Sequence, residues 1–152
     1  MDFLTKNLPQ IVIFLGIIIA IVPSGIGSAK GAAMIGKAAS ALISEQPEKF
    51  GQALILLMMS ASQGLYGFII GFLSFTKFGP DLDIATALGC LAAGLIVGIA
   101  GYFTAVHQSA IATAGIQILA KKPEHSTKGV LFSAMVETYA IFAFVVAVLI
   151  VL

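Results

Sequence analysis

The longest uncharged stretch of the chain covers residues 84–120 and reads IATALGCLAAGLIVGIAGYFTAVHQSAIATAGIQILA. A single helix of this length is about 55 Å long, whereas one bilayer crossing needs roughly 20 apolar residues, or about 30 Å. The run is continuous rather than alternating, which argues against a membrane β-strand. The stretch therefore predicts a transmembrane helix that projects beyond the hydrocarbon on one side.

Three other runs are each long enough to cross a bilayer once. Residues 7–29 and 53–75 contain no charged side chain, and residues 129–152 contain only Glu137. The composition agrees, because 59% of the 152 residues are hydrophobic and 10% are charged, against roughly 45–50% and about 25% in soluble domains. We therefore predict an all-α membrane protein with four transmembrane helices. They cover about residues 8–43, 51–77, 84–120 and 128–152.

The composition also argues against several functions. A net charge of +1 gives no basic surface for nucleic acid. The single cysteine, Cys90, excludes an internal disulfide. There is no phosphate-binding loop, zinc-ligand spacing or nucleophile–base pair. We therefore expect no organic cofactor and no covalent catalysis by this chain alone.

The first run has an alternative interpretation as a secretory signal peptide, because Lys6 precedes an apolar stretch and small residues follow it. The run is longer than the apolar core of such a peptide. It is also needed as the partner of the third helix in an internal repeat. We therefore favour a membrane helix.

The internal repeat relates the two halves of the chain. The tripeptide QPE at 46–48 recurs as KPE at 122–124, and Gln63 aligns with Glu137. Two crossings separate the copies, so both insert the same way up. The pattern predicts a duplicated pair of parallel hairpins. These hairpins are residues 1–78 and 79–152.

The lysines predict the orientation. Six of the eight cluster around the loops at 44–50 and 121–127, and only Lys6 and Lys77 lie at the other end. Because basic residues are enriched on the cytoplasmic side, both loops are predicted to be cytoplasmic and both termini outside.

Small residues form stripes on the first and third helices. Gly27 and Gly31 lie four residues apart in the first, and Gly94 and Gly98 in the third. Such stripes mark close helix–helix contacts in lipid. They suit the inner wall of a ring whose outer wall carries the larger apolar side chains, although packing within a four-helix monomer is a simpler alternative.

Glu137 is the one acid inside a predicted span. A carboxylate at bilayer depth costs from about 2.5 to over 10 kcal/mol and marks a functional site by default. The nearest basic residue on its helix is Lys128, nine positions away and near the helix end. The carboxylate is therefore expected to be protonated or to bind a cation.

Two glutamines lie at the depth of this acid. Counted from the cytoplasmic helix ends, Glu137, Gln108 and Gln63 lie about 10, 12 and 13 residues in, within ~5 Å of one another in depth. Each glutamine could instead be an ordinary interhelical hydrogen-bonding residue. His107 points roughly 100° away from Gln108 and is more typical of a packing or interface residue.

The second helix adds more oxygen atoms. Ser62 precedes Gln63, and Tyr66 and Met59 each lie one turn away on a shared face. An all-oxygen set with one negative charge suits a monovalent hard cation. Alone, Ser62 could bond its own helix and Tyr66 could be plain packing. Their shared depth with the only buried acid favours a common site.

Four motifs resemble one known family over almost the whole chain. They are SGIGSAKG at 24–31, QGLYG at 63–67, AGIQ at 114–117 and MVETY at 135–139. The sequence is similar to the 16-kDa proteolipid, the K or c subunit, of V-type ATPases, and most similar to the bacterial sodium-translocating members. This resemblance implies a multi-pass protein of a bacterial cell membrane that assembles into a rotor ring.

The resemblance also implies a Na⁺ site with five ligands and one residue that holds the carboxylate. The ligands are Glu137, Gln63, Gln108, Ser62 and the backbone carbonyl of Met59, and the supporting residue is Tyr66. Ser62 stands where the sodium branch usually has Thr, so the hydroxyl is kept and a methyl is lost. Sodium is therefore favoured, with H⁺ as the alternative cargo.

The implied function is to carry one ion per subunit as the ring turns, without catalysing a reaction itself. The implied partners are copies of this chain, a stator membrane subunit with a conserved Arg, a central-stalk subunit on the cytoplasmic loops and an ATP-hydrolysing head. Nucleic acid is not among them. A structural or pore-forming membrane oligomer is the remaining alternative.

Overall fold

The computed structural model describes residues 3–152, with side chains from Asn7 onward, so the side chain of Lys6 lies outside the described residues. These residues form helices and contain no strand. The α-helices are α1 (Phe3–Glu45), α2 (Phe50–Met58), α3 (Ser62–Thr76), α4 (Ile84–Lys121) and α5 (Ser126–Val151).

Within the described range, α1, α4 and α5 are each long and apolar enough to cross a membrane alone. The α2 and α3 helices pass the same test only as a pair, which bends by 41° where they meet. The sequence predicted one continuous helix over about 51–77. The structure instead divides this segment at residues 59–61, so that part of the prediction is wrong.

The division is a tight turn between α2 and α3. The Ser60 and Ala61 N–H groups donate to the carbonyls of Leu57 and Met58, at 3.5 and 3.1 Å. The Ser60 hydroxyl also donates to the Leu57 carbonyl, at 3.2 Å. Bonds that span three residues tighten the backbone and interrupt the α-helical ladder. Neither glycine nor proline occurs in this turn, so the local sequence does not predict it.

The α1 and α4 helices run parallel and touch through their backbones. A Cβ atom built on Gly16 would lie 2.8 Å from the Leu91 Cα, and one on Gly27 would lie 2.7 Å from the Tyr102 Cα. Such distances leave no space for a side chain. The predicted small-residue stripes therefore form the α1–α4 contact, where close backbone approach replaces a hydrophobic driving force.

The outward faces of α3 and α5 are strongly apolar. Phe68 and Phe72 on α3, and Met135, Phe142 and Leu149 on α5, are all more than half exposed. An apolar surface this extensive is unusual for a water-soluble monomer and is typical of a membrane or subunit interface.

Both Pro-Glu loops lie at one end of the helices. Each is a single 3₁₀ turn, Pro47–Lys49 and Pro123–His125. The Lys49 ammonium donates to the carbonyls of Leu119 and Ala120, at 3.0 and 3.1 Å. These carbonyls lie in the last turn of α4, where a cation offsets the negative end of the helix dipole. The bonds tie the first loop to the second hairpin.

At the opposite end, Asp83 caps α4. The Thr86 N–H donates to Asp83 Oδ1 at 2.9 Å, and the Thr86 hydroxyl donates to Oδ2 at 2.6 Å. These two bonds, the hydroxyl bond first, hold the pKa of the Asp83 carboxyl below its ordinary value. The charged form is therefore the one that stabilises the start of the helix.

We expect Asp83→Asn to remove the pH dependence of this cap. Asn still accepts the Thr86 N–H but does not titrate. Because the folded pKa of Asp83 is lowered, its contribution is fully present above its unfolded pKa of about 3.9 and is lost as pH falls through the lower folded value. Thermal unfolding of both proteins from pH 6 to pH 2 checks this, since all other titrating groups are shared. A constant difference between their Tm values across this range would contradict it.

Candidate cation site

Glu137 lies on α5, half-buried, with each carboxylate oxygen bonded to a different helix. The Tyr66 hydroxyl on α3 donates to Oε1 at 3.0 Å, and the Gln108 amide on α4 donates to Oε2 at 3.3 Å. Both donors are neutral, so they orient the carboxylate without compensating its charge.

A second glutamine extends this network. The Gln63 amide nitrogen donates to Gln108 Oε1, and both glutamine side chains are fully buried. Tyr66, Gln63, Gln108 and Glu137 therefore form one hydrogen-bonded chain across α3, α4 and α5. This is the convergence at one depth that the helix positions predicted.

Two buried oxygens in this region are poorly satisfied. Gln63 Oε1 makes no hydrogen bond, and Ser62 Oγ, beside the Tyr66 hydroxyl, makes none of ordinary geometry. A buried polar atom without a partner costs about 1–3 kcal/mol, so its retention needs an explanation. A cation supplies one, because hard cations bind neutral oxygen atoms together with a carboxylate.

The helix break frees another oxygen. In a continuous helix the Gln63 N–H would donate to the Met59 carbonyl. In the described part of the chain, no backbone N–H donates to that carbonyl. The break therefore leaves the Met59 oxygen available as an acceptor, next to the polar face of α3.

Two serines support this region and were missed by sequence reasoning. The Ser133 hydroxyl on α5 donates to the backbone carbonyl of Gln108 at 3.4 Å. On α1, the Ser28 hydroxyl accepts the Gly64 N–H at 2.8 Å. Small hydroxyl residues are common in membrane helices, so only their spatial neighbours distinguish these two.

His107 and Cys90 lie apart from the polar cluster. His107 is exposed whereas its neighbour Gln108 is fully buried, so the two side chains face different directions. Cys90 is buried in an apolar cluster with Ile13 and Ile70. Among the described residues, no group of three His, Cys, Asp or Glu side chains could hold a metal ion. Glu137 is the one acidic side chain in the hydrogen-bonded network with Tyr66, Gln108 and Gln63, as far as the chain is described.

Comparison with known proteins gives the chain a family context. A family model described as the C subunit of ATP synthase matches it twice, over residues 15–74 and 91–150. The chain is 53% identical to the V-type sodium ATPase subunit K of Enterococcus hirae over 153 aligned residues, covering 100% of this chain and 98% of that protein.

Two more distant relatives extend the comparison. The A-type ATP synthase subunit K of Methanocaldococcus jannaschii is 33% identical over 141 residues, covering 93% of this chain and 62% of that protein. The 16 kDa proteolipid of the human V-type proton ATPase is 25% identical over 130 residues, covering 86% of this chain and 84% of that protein.

The double match bears out the internal duplication. Its second copy begins at 91 and its first at 15, a separation of 76 residues, equal to that between the QPE and KPE tripeptides. Apolar helices together with proteolipid relatives identify an integral membrane protein.

Proposed function

The chain belongs to the family of ATP synthase C subunits, and from this membership we propose that it is the ion-carrying subunit of a V-type ATPase rotor ring. Each copy binds one Na⁺ at Glu137, and the ring moves the ion across the membrane as it turns. Rotation is coupled to ATP hydrolysis in a soluble head. The chain itself carries the ion and catalyses no reaction.

One observation carries this proposal above the others. Gln63 Oε1 is buried without a hydrogen-bond partner, and Ser62 Oγ has only the Tyr66 hydroxyl beside it. Both accompany a carboxylate whose hydrogen-bond partners are neutral. A monovalent cation among these groups satisfies the oxygens and neutralises the acid. The proposed ligands are Glu137, Gln63, Gln108, Ser62 and the Met59 carbonyl, with Tyr66 holding the carboxylate.

Ion binding explains how the acid travels through lipid. With Na⁺ bound, the site is neutral and crosses the apolar environment at low cost. Beside a stator subunit that presents an Arg, the positive charge favours the empty carboxylate and releases the ion. Transport against 100 mV adds about 2.3 kcal/mol per charge, which ATP hydrolysis supplies through the central stalk.

The proposed topology has four crossings in two hairpins, residues 1–78 and 79–152, with α2 and α3 forming one bent crossing. The loops at 44–50 and 121–127 are cytoplasmic and contact the central stalk, and both termini lie outside. Copies of the chain assemble through their helices in the bilayer of a bacterial cell membrane. The Lys49 bonds to α4 support placing both loops on one side.

A proton rotor is the second candidate. The human relative is named as part of a proton ATPase, and a protonated Glu137 would need no other ligand. Under this alternative, Gln63 and Gln108 only hydrogen-bond the neutral acid. The two candidates differ in whether sodium occupies the site at constant pH.

We expect NaCl to protect Glu137 from carbodiimide labelling at constant pH. Carbodiimides modify the neutral carboxylic acid, and bound Na⁺ keeps that group ionised and coordinated. Labelling of purified rings, followed by mass spectrometry of the peptide around residue 137, measures the protection. Protection that rises with sodium concentration supports the sodium rotor.

Potassium at equal ionic strength is the control, because it screens charge equally but is larger. Labelling that responds to pH and is indifferent to sodium would support the proton rotor and contradict Na⁺ binding. Matched samples of Glu124→Gln test whether the loop acid contributes to the signal, and we expect no change from that variant.

A further inference from the structure

We propose that Ser28 on α1 is a positioning residue for the cation site: its hydroxyl holds the Gly64 N–H and so keeps the Met59 carbonyl available to the ion. This inference rests on the proposed ion-binding function and adds a residue outside the ligand set. It starts from the hydrogen bond between Ser28 Oγ and the Gly64 nitrogen, at 2.8 Å.

Gly64 is the residue whose N–H decides between the broken and the continuous helix. In a continuous helix it would donate to the Ser60 carbonyl, four residues earlier. In the described chain that bond is absent, and the N–H is turned to Ser28 instead. Ser28 therefore replaces an acceptor within the helix by one on a neighbouring helix.

The two carbonyls of the break are coupled. Consecutive helical bonds form together, because closing one fixes the dihedral angles required by the next. A Gly64 bond to the Ser60 carbonyl would bring the Gln63 N–H beneath the Met59 carbonyl. By holding the Gly64 N–H, the Ser28 hydroxyl opposes the formation of both helical hydrogen bonds.

The packing between Gly64 and Ser28 leaves no room for a side chain at position 64. A Cβ atom on Gly64 would lie 3.1 Å from Ser28 Oγ and 3.2 Å from Ser28 Cβ. Glycine at 64 thus allows α1 to approach closely enough for the hydroxyl to reach the backbone. The contact joins α1, which carries none of the proposed ligands, to the ligand-bearing segment.

The test is Ser28→Ala in assembled rings, read by sodium protection of Glu137 from carbodiimide. We expect the half-protective sodium concentration to rise about tenfold, the lower range for losing a supporting partner of a metal ligand. The labelling rate without sodium should stay unchanged, because the Tyr66 and Gln108 bonds to Glu137 do not involve Ser28. A change in both quantities would indicate a general loosening of the fold and would overturn the positioning role.

Two variants sharpen this test. Ser28→Thr keeps the hydroxyl and should restore sodium protection towards the wild-type value. Ser24→Ala is the matched control on the same helix, because the Ser24 hydroxyl bonds its own helix at the Ala20 carbonyl, at 2.6 Å. We expect Ser24→Ala to leave sodium protection unchanged. Unchanged protection in Ser28→Ala would overturn the inference.

A structure of the Ser28→Ala ring separates this inference from the proposed function. We expect the Gly64 N–H to bond the Ser60 carbonyl and the break at 59–61 to close. If wild-type rings show no sodium protection, the sodium proposal fails, while closure of the break would still support the role of Ser28 in shaping the segment. A break that keeps its wild-type geometry in the variant would overturn that role whatever the ion.

Discussion

Glu137→Gln is expected to abolish ATP-driven uptake of radioactive sodium into vesicles while leaving the ring assembled. The amide has nearly the shape of the carboxylate, and its one oxygen can still accept the Tyr66 hydroxyl. Its NH2 group cannot accept the Gln108 amide N–H, which donates to the second carboxylate oxygen in the wild type. The amide cannot neutralise a cation. Leaving one charge of a buried pair without its partner costs about 3–5 kcal/mol, which is roughly a 10²- to 10⁴-fold loss of ion affinity.

Glu124→Gln is the control for this loss, since Glu124 is an exposed acid in the loop before the same helix. We expect it to transport sodium at the wild-type rate. Native mass spectrometry of both variants establishes that the ring is intact. Undiminished sodium transport by intact Glu137→Gln rings would contradict the rotor proposal. The polar cluster would then only hold the helices together, as in a structural or pore-forming oligomer.

The helices follow largely from composition and charge. The 84–120 run predicted a helix that the structure has at Ile84–Lys121, because uncharged residues can enter lipid only with their backbone groups bonded internally. The turn at 59–61 could not be predicted in this way. The hydrogen bond from the Gly64 N–H to Ser28 beside this turn joins two helices that are distant in sequence, and no local pattern encodes such a contact.

The polar cluster was predictable for a similar reason. A single acid in the spans and glutamines at its depth restrict the possible partners, and the structure joins Gln63, Gln108 and Glu137 in one network. Depth along a helix does not give the rotation of a neighbouring helix. Ser133 and Ser28, which bond backbone atoms rather than the acid, were therefore missed.

Gly98→Ala is expected to prevent normal ring assembly, because Gly98 lies in the contact between α1 and α4. A Cβ on Gly98 would lie 3.0 Å from the Ile19 carbonyl carbon and closer still to its oxygen. In a regular helix the Ile19 carbonyl would accept the N–H of residue 23, but Pro23 has no N–H. The Ile19 carbonyl is therefore free of that bond and faces Gly98. Because the clash involves backbone on both helices, it cannot be relieved by a rotamer change, and α1 and α4 must separate.

Helix propensity by itself would make a Gly→Ala substitution stabilise the ring. Gly89→Ala is therefore the control, because it gains the same propensity without the backbone clash. Alanine favours a helix by about 1 kcal/mol over glycine, and a Cβ on Gly89 of the same helix meets only Ile150, whose Cγ2 lies at an ordinary 3.6 Å. Gly89→Ala should therefore assemble as well as the wild type or better. At Gly98 the overpacking cost of about 1–3 kcal/mol or more exceeds the gain in helix propensity, and every subunit of the ring bears this cost. Thermal dissociation of purified rings measures the balance, and a Gly98→Ala ring as stable as the Gly89→Ala ring would mean that α1 and α4 are not held by backbone contact.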